Sequence, residues 1–283
     1  MNTYNFNNRK ALLVTMHEKE KAIAPALFNT FGISLESSKY INTDVLGTFS
    51  GEIKREESPE ITAWKKIQLA SNDSSDIIIA SEGSFFPHPN IPFVTLNHEF
   101  ILLYDKKNNV LIDGQHYTTD CIYFQKEFTN EEDAIKFCVE NSFPQYGVVL
   151  KTTNEYHKTL TFKDPKSLFS LSAAFKLLQN NSANGIITVE SDMRAHKNPK
   201  RMQSIEKATM DLVKNMNSFC PNCHKPGFSI RKKNKGLPCS DCGFPTNEIK
   251  ENVLICQFCN HEKIESLPPT KIGNPMYCNR CNP

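Results

Sequence analysis

Four Cys-x-x-Cys pairs fall within the 62 residues from Cys220 to Cys281, and no other feature of the chain limits its fold so tightly. The pairs are Cys220/Cys223, Cys239/Cys242, Cys256/Cys259 and Cys278/Cys281. Two intervening residues let a tight knuckle aim both sulfurs at one ion, and two knuckles complete a closed tetrahedral thiolate site. Eight cysteines therefore predict two structural metal ions. Fifteen residues separate Cys223 from Cys239 and eighteen separate Cys259 from Cys278, which suits zinc ribbons built of two knuckles and a hairpin. Zinc is the expected ion, although iron accepts the same ligands. Sequential pairing, first knuckle with second and third with fourth, is the simplest scheme. A nested one, second with third inside first with fourth, satisfies the same ligand count. Pro221 after Cys220 and Gly243 after Cys242 fit tight knuckles. His224 and His261 sit beside ligands, but all thiolate positions are already filled, so both are expected as exposed bystanders.

Metal rather than disulfide chemistry fits a reducing compartment, and the polar, Asn-rich start at residues 1–10 has no export pattern. A cytoplasmic protein is expected. No apolar run approaches the ~20 residues of a membrane span. The remaining two cysteines, Cys121 and Cys138, lie in apolar surroundings and read as small buried hydrophobes. At 283 residues and 39% hydrophobic, the chain supports two cores. The division expected is an α/β domain over 9–216 and a cysteine module over 217–283. The net charge of +2 argues against a protein that coats nucleic acid. The module has nine Lys/Arg against five Asp/Glu. Eight thiolates and two divalent cations bring it close to neutrality. Its one basic cluster, Arg231, Lys232, Lys233 and Lys235, is expected on a solvated loop, with a nucleic-acid contact as the sharper alternative.

Ahead of the cysteines, strand and helix patterns alternate. Residues 11–15 (ALLVT) read as a buried strand, and 22–31 as a helix closed by Gly32. Ser58-Pro59 opens a helix whose apolar face draws on Ile61, Trp64, Ile67 and Leu69. Residues 76–80 (DIIIA) read as a strand, with irregular chain from Ser81 through Pro89. A hairpin turns at 107–109. A helix starts at Thr129 or Asn130, strands follow at 147–151 and 185–190, and helices open at Asp164-Pro165 and Asn198-Pro199. This order predicts an α/β layer structure with a mixed, largely parallel sheet and flanking helices.

Polar segments follow several strands, where open α/β sheets form their binding crevice. Lys19, near a helix start, is a candidate phosphate ligand with Arg55 and Arg194. Asp44, Glu82, Glu190 and Asp192 are candidate carboxylates for a divalent ion, Mg by expectation, or for acid–base work, and His196 joins them. On an extended strand end, Glu190, Asp192, Arg194 and His196 would share one face. The competing reading makes Glu190 or Asp192 an ion pair with Arg194. These residues point to a Mg-dependent hydrolase of a nucleotide or other phosphate compound. The alternative is a non-enzymatic zinc-ribbon protein that binds nucleic acid or protein.

The motifs Thr15-Met16-His17-Glu18-Lys19-Glu20, Asn42-Thr43-Asp44-Val45-Leu46-Gly47-Thr48-Phe49, residues 80–85 (ASEGSF), 190–202 (ESDMRAHKNPKRM) and the cysteines through the final Cys-Asn-Pro resemble an uncharacterised bacterial family of unknown function, over nearly the whole chain. A fainter similarity runs to the inosine-triphosphate pyrophosphatase group. It implies a Mg-nucleotide site in which Lys19, Glu60 with Lys65, and Glu82-Gly83 take comparable places. His17 near the usual asparagine, and Lys66-Ile67 for Lys-Ala, depart from that pattern.

Overall fold

The computed structural model describes residues 4–38, 40–41, 57–89 and 91–283. Asp44, Arg55 and the rest of the motif at 42–52 lie outside the described residues. The chain divides into two compact units. One holds 6–110 and 114–212; the other holds the described parts of 1–5, 111–113 and 213–283.

The larger unit begins with β1 (Lys10–Val14), α1 (Glu20–Phe31) and β2 (Ser34–Ser37). The strands are parallel, with Leu13 opposite Ser37. Gly32 ends α1 at φ 64°, its N–H closing on the Phe28 carbonyl. This is the left-handed cap that glycine adopts without Cβ strain. The Ser58 side chain caps α2 (Pro59–Leu69) by accepting from Ile61 N. β3 (Ile77–His88) then lies on the other side of β1 and parallel to it, Leu13 opposite Ile79. β4 (Ile91–Asp105) returns antiparallel to β3, with Ser81 opposite Ile101 and Gly83 opposite Glu99. With β5 (Val110–Thr118) the order is β2-β1-β3-β4-β5.

A second sheet of the same unit comprises β6 (Gln125–Phe128), β7 (Val148–Thr153), β8 (Thr159–Lys163) and β9 (Ile187–Ser191) in the order β6-β9-β7-β8. All its ladders are antiparallel. Its core packs Phe128, Leu150 and Val189 with residues of α3 (Glu131–Glu140) and α4 (Leu168–Asn180), among them Ala134, Leu171 and Phe175. α5 (Pro199–Met216) follows, and the Asn198 side chain accepts from Arg201 N at its start. Gly114 lets β5 lie directly on α5, because a Cβ there would come 2.2 Å from Leu212 N.

The fold is thus α/β with a mixed sheet, but not a largely parallel one. Parallel pairing needs a crossover between strands, and only the connections from β1 to β2 and from β2 through α2 to β3 provide one. Ser81 to Phe85, expected as irregular chain, lie within β3, where the long β3–β4 ladder satisfies their backbone. The buried face of α2 is Thr62, Ala63, Lys66 and Ile67, not the stripe of Ile61, Trp64, Ile67 and Leu69. Ile61 and Leu69 are about half exposed. The helix at Asp164-Pro165 starts later, at Leu168, where Ser167 and Ser170 form a capping box.

In the smaller unit β10 (Ser229–Lys235), β11 (Ile249–Ile255) and β12 (Glu262–Ser266) make an antiparallel sheet in that order. Arg231, Lys232, Lys233 and Lys235 therefore sit on a strand rather than a loop. Arg231 is engaged by Asp113 of the same unit at 2.6 Å. Among the described residues no helix is long and apolar enough to cross a membrane.

Candidate functional site

Leaving β1, the chain builds β2 on one side and β3 on the other, so the C-terminal edge of β1 is a topological switch point, where open sheets leave a crevice. The loop from Thr15 to Lys19 starts there. Glu18 turns it at φ 54°, and Lys19 becomes the N-cap of α1 without giving a side-chain cap. Its side chain runs inward instead. Lys19 Nζ donates to the Ser81 carbonyl at 2.9 Å and to Ser81 Oγ at 3.2 Å. Lys66 reaches the same carbonyl at 3.5 Å and pairs with Glu82 at 2.5 Å.

On the neighbouring strand Glu99 accepts from Arg201 Nε at 2.7 Å and from Asn97 Nδ2 at 3.1 Å. This Arg201–Glu99 pair has 1% and 0% side-chain exposure. Arg201 also donates to the Met193 carbonyl. Gly83 makes room for the pair, since a Cβ at that position would lie 2.5 Å from Arg201 Nη2 and from Glu99 Oε2. The turn after β9 completes the group. Asp192 takes Arg194 through both carboxylate oxygens, with Nη2 to Oδ2 at 2.6 Å. His196 stacks on His17 with ring centroids 5.4 Å apart.

Burial governs the charges. It holds His17 down to about 3, with Lys19, Arg201, His196 and Arg194 adding to the effect. Burial also holds Lys19 down to about 7; Arg201 and Lys66 assist, while Glu99 and Glu82 oppose. Burial lowers His196 as well, ahead of the Arg194 and Lys197 cations. Both imidazoles are therefore neutral at neutral pH. His196 Nδ1 is buried and has no hydrogen-bond partner among the described residues.

Lys19, Glu82, Asp192, Arg194 and His196 thus belong to one edge of the larger unit. Glu190 does not: it pairs with Lys151 at 2.5 Å on the second sheet. Its side chain leaves on the other side because β9 ends at Ser191 and the chain turns, so the strand alternation never reaches Asp192. Lys65, taken from the nucleotide-site likeness, pairs with Glu57; its neighbour Lys66 occupies the inner position. Sequence reasoning missed Glu99 and Asn97. Their signal was an Asn-His-Glu triplet inside an otherwise apolar strand, where a buried charge demands a partner.

The cysteines form two groups, Cys220, Cys223, Cys256 and Cys259, and Cys239, Cys242, Cys278 and Cys281. In each, the four sulfurs lie within 4.8 Å of one another. Neither the sequential nor the nested scheme describes this: the knuckles interleave, first with third and second with fourth. Strand reversal is the reason. β10 separates the first knuckle from the second and β11 the second from the third, so each strand carries the next knuckle to the opposite end of the sheet.

Between the two knuckles, sulfurs face each other at 3.5 and 3.6 Å in the first group and at 3.7 and 3.9 Å in the second. Four ligands about 2.3 Å from a zinc ion stand about 3.8 Å from each other at tetrahedral angles. The spacing therefore fits a bound ion and is too wide for disulfides, at about 2.05 Å. Each group can hold a zinc ion. Every knuckle closes in the same way, with backbone N–H of His224, Gly243, Asn260 and Asn282 donating to the carbonyl of its first cysteine. His224, Gly243 and Asn260 take positive φ there, which gives His224 a conformational role and no ligand role. Among the described residues, only these two groups bring three or more potential ligands together, and Glu82, Glu190 and Asp192 each carry a cationic partner instead.

No curated protein matches the chain significantly, so no relative's name supports the pyrophosphatase likeness. A family model described as "Domain of unknown function (DUF6671)" matches residues 65–283, which takes in β3 to β9, α5 and all eight paired cysteines, and the chain belongs to that family.

Proposed function

We propose that the larger unit binds and hydrolyses a phosphate-bearing small molecule at the C-terminal edge of β1, and that the smaller unit is a structural module holding two zinc ions. The carrying observation is the charge at that edge. Lys19, Lys66, Arg194 and Arg201 meet Glu82, Glu99 and Asp192, and Lys19 has no carboxylate within ion-pair distance among the described residues. An anion completes such a group. The start of α1 has no side-chain cap and adds the positive end of the helix dipole, which favours phosphate.

Roles follow from exposure and protonation. Half-buried His17 and Arg194 would hold phosphate oxygens, with Lys19 supplying positive charge from beneath as the transition state gathers negative charge. His196, neutral and half-buried, would take the proton of the attacking water. Mg draws no support here, because the carboxylates are already occupied by cations. Nucleic-acid binding through Lys232, Lys233 and Lys235 draws less support than the phosphate reading, since Arg231 is already held by Asp113. For the metal module, zinc is supported by the four-sulfur geometry and by the preference of closed thiolate sites.

Full-length protein should be screened against phosphomonoesters, nucleoside phosphates and inorganic polyphosphate. Turnover should fall at least about 100-fold in His196→Ala, in line with loss of a general base. Phosphate binding should weaken in Lys19→Met. Equal turnover and equal anion affinity in wild type and both variants would discard the proposal.

A further inference from the structure

A cavity of about 460 Å³ opens on the β2 side of the same edge. It is lined by Thr15 and Met16 at the end of β1, by Ser37 and Ser38 at the end of β2, and by Tyr40 and Ile41 beyond. Its size is in the range of small-molecule sites. Its chemistry differs from that of the charged group beside β3. Glu18 and Glu20 also border it, and among the described residues its lining includes no lysine or arginine. The Tyr40 ring is 96% exposed. Ser37 Oγ is buried and has no hydrogen-bond partner among the described residues. Thr15, Met16 and Glu18 turn toward this cavity, whereas His17 stacks on His196 and Lys19 reaches Ser81. One short loop therefore has a compartment of hydroxyls, an aromatic ring and carboxylates on one side and a cationic compartment on the other.

We infer that the substrate of the proposed phosphate site is a nucleoside phosphate, with its base and sugar in this cavity and its phosphate at His17, Lys19 and Arg194. Three features select a nucleoside over a smaller phosphate compound. An exposed ring is available for stacking on a base, which every base tolerates because each has a π-face. The hydroxyls of Ser37 and Thr15, with the Glu18 and Glu20 carboxylates, suit sugar hydroxyls and exocyclic amines. Lys21 pairs with Glu18, which leaves the Glu20 carboxylate to disfavour phosphate on this side and to set the direction in which such a molecule enters. The inference rests on the phosphate reading above, but it adds a compartment that inorganic phosphate and polyphosphate do not use.

Calorimetric titration of the full-length protein separates the two ideas. The probes are ATP, AMP, ribose 5-phosphate and inorganic tripolyphosphate, with wild type, Tyr40→Ala, Ser37→Leu and Lys19→Met. ATP should bind at least about tenfold tighter than tripolyphosphate, the scale of one stacked base. Tyr40→Ala and the cavity-filling Ser37→Leu should remove that gain and leave tripolyphosphate unchanged. Lys19→Met should weaken both. Equal affinity for ATP and tripolyphosphate, or an ATP advantage that survives both cavity variants, overturns the nucleoside assignment while the phosphate site stands. Ribose 5-phosphate matching AMP overturns the base and leaves only the sugar. No binding of any probe removes both ideas. Tyr40 is exposed, so its variant tests binding without a folding defect.

Discussion

Replacing Cys223 and Cys256 together by serine removes two sulfurs that lie 3.5 Å apart in one group. Interleaved pairing then leaves the other group, Cys239, Cys242, Cys278 and Cys281, with all four ligands. Sequential or nested pairing would instead take one sulfur from each of two sites. The magnitude is large. Between Asn217 and Pro283 the buried apolar side chains other than cysteine and proline are Phe228, Leu237 and Val253. At about 1.5–3 kcal/mol each they contribute about 5–9 kcal/mol. One structural zinc contributes about 10–16 kcal/mol, so each ion outweighs these three side chains together. The variant should carry one zinc per chain by mass spectrometry of the desalted protein, against two in wild type. Alkylation mapping should find Cys239, Cys242, Cys278 and Cys281 protected, and Cys220 and Cys259 modified. Protection that joins Cys220 with Cys239 or Cys242, or Cys259 with Cys278 or Cys281, would refute the pairing derived from strand reversal. Two ions retained at full affinity would do the same.

Two further predictions concern the larger unit. Arg201→Met leaves the Glu99 carboxylate buried with the Asn97 side-chain amide as its donor, and should cost about 3–5 kcal/mol in urea unfolding. Adding Glu99→Gln should recover part of that loss, and an additive loss would show that the two side chains do not act as a pair. Burial lowers Lys19 from 10.5 to about 7, so the folded state binds this proton more weakly than the unfolded one. The Lys19 contribution to stability is therefore full above pH 10.5 and is lost as pH falls toward 7. Wild type should gain on Lys19→Met as pH rises from 7 to about 10, followed by chemical denaturation at each pH, and a pH-independent difference between the two would contradict the buried cation.

Much of this was legible in the residues, and the failures have identifiable causes. The knuckles were visible because Cys-x-x-Cys spacing is local. The residue after each of the first three, His224, Gly243 and Asn260, also carried a signal, since histidine, glycine and asparagine tolerate the left-handed backbone found there. Pairing was not local. It depends on how many times the chain reverses between knuckles, and a basic run such as Arg231 to Lys235 does not look like a strand until its partner β11 is known. In α2 the hydrophobic pattern led to the wrong phase, because a lysine, Lys66, is among the buried residues and Glu82 makes that possible. Lys65, which the pyrophosphatase likeness implies, lies one residue or about 100° around the helix from the buried Lys66. Ser81 and Gly83 looked like a loop because small polar residues usually are. In this protein they are small because Lys19 and the Arg201–Glu99 pair press against the strand.

Interleaving also makes the cysteine module indivisible. The first ligand set spans Cys220 to Cys259 and the second spans Cys239 to Cys281, so the stretch from Cys239 to Cys259 serves both. No contiguous fragment contains one whole set without part of the other. A break or a long insertion in that shared stretch would disturb both ions at once, so this part of the chain must be inherited, lost or transplanted as one piece.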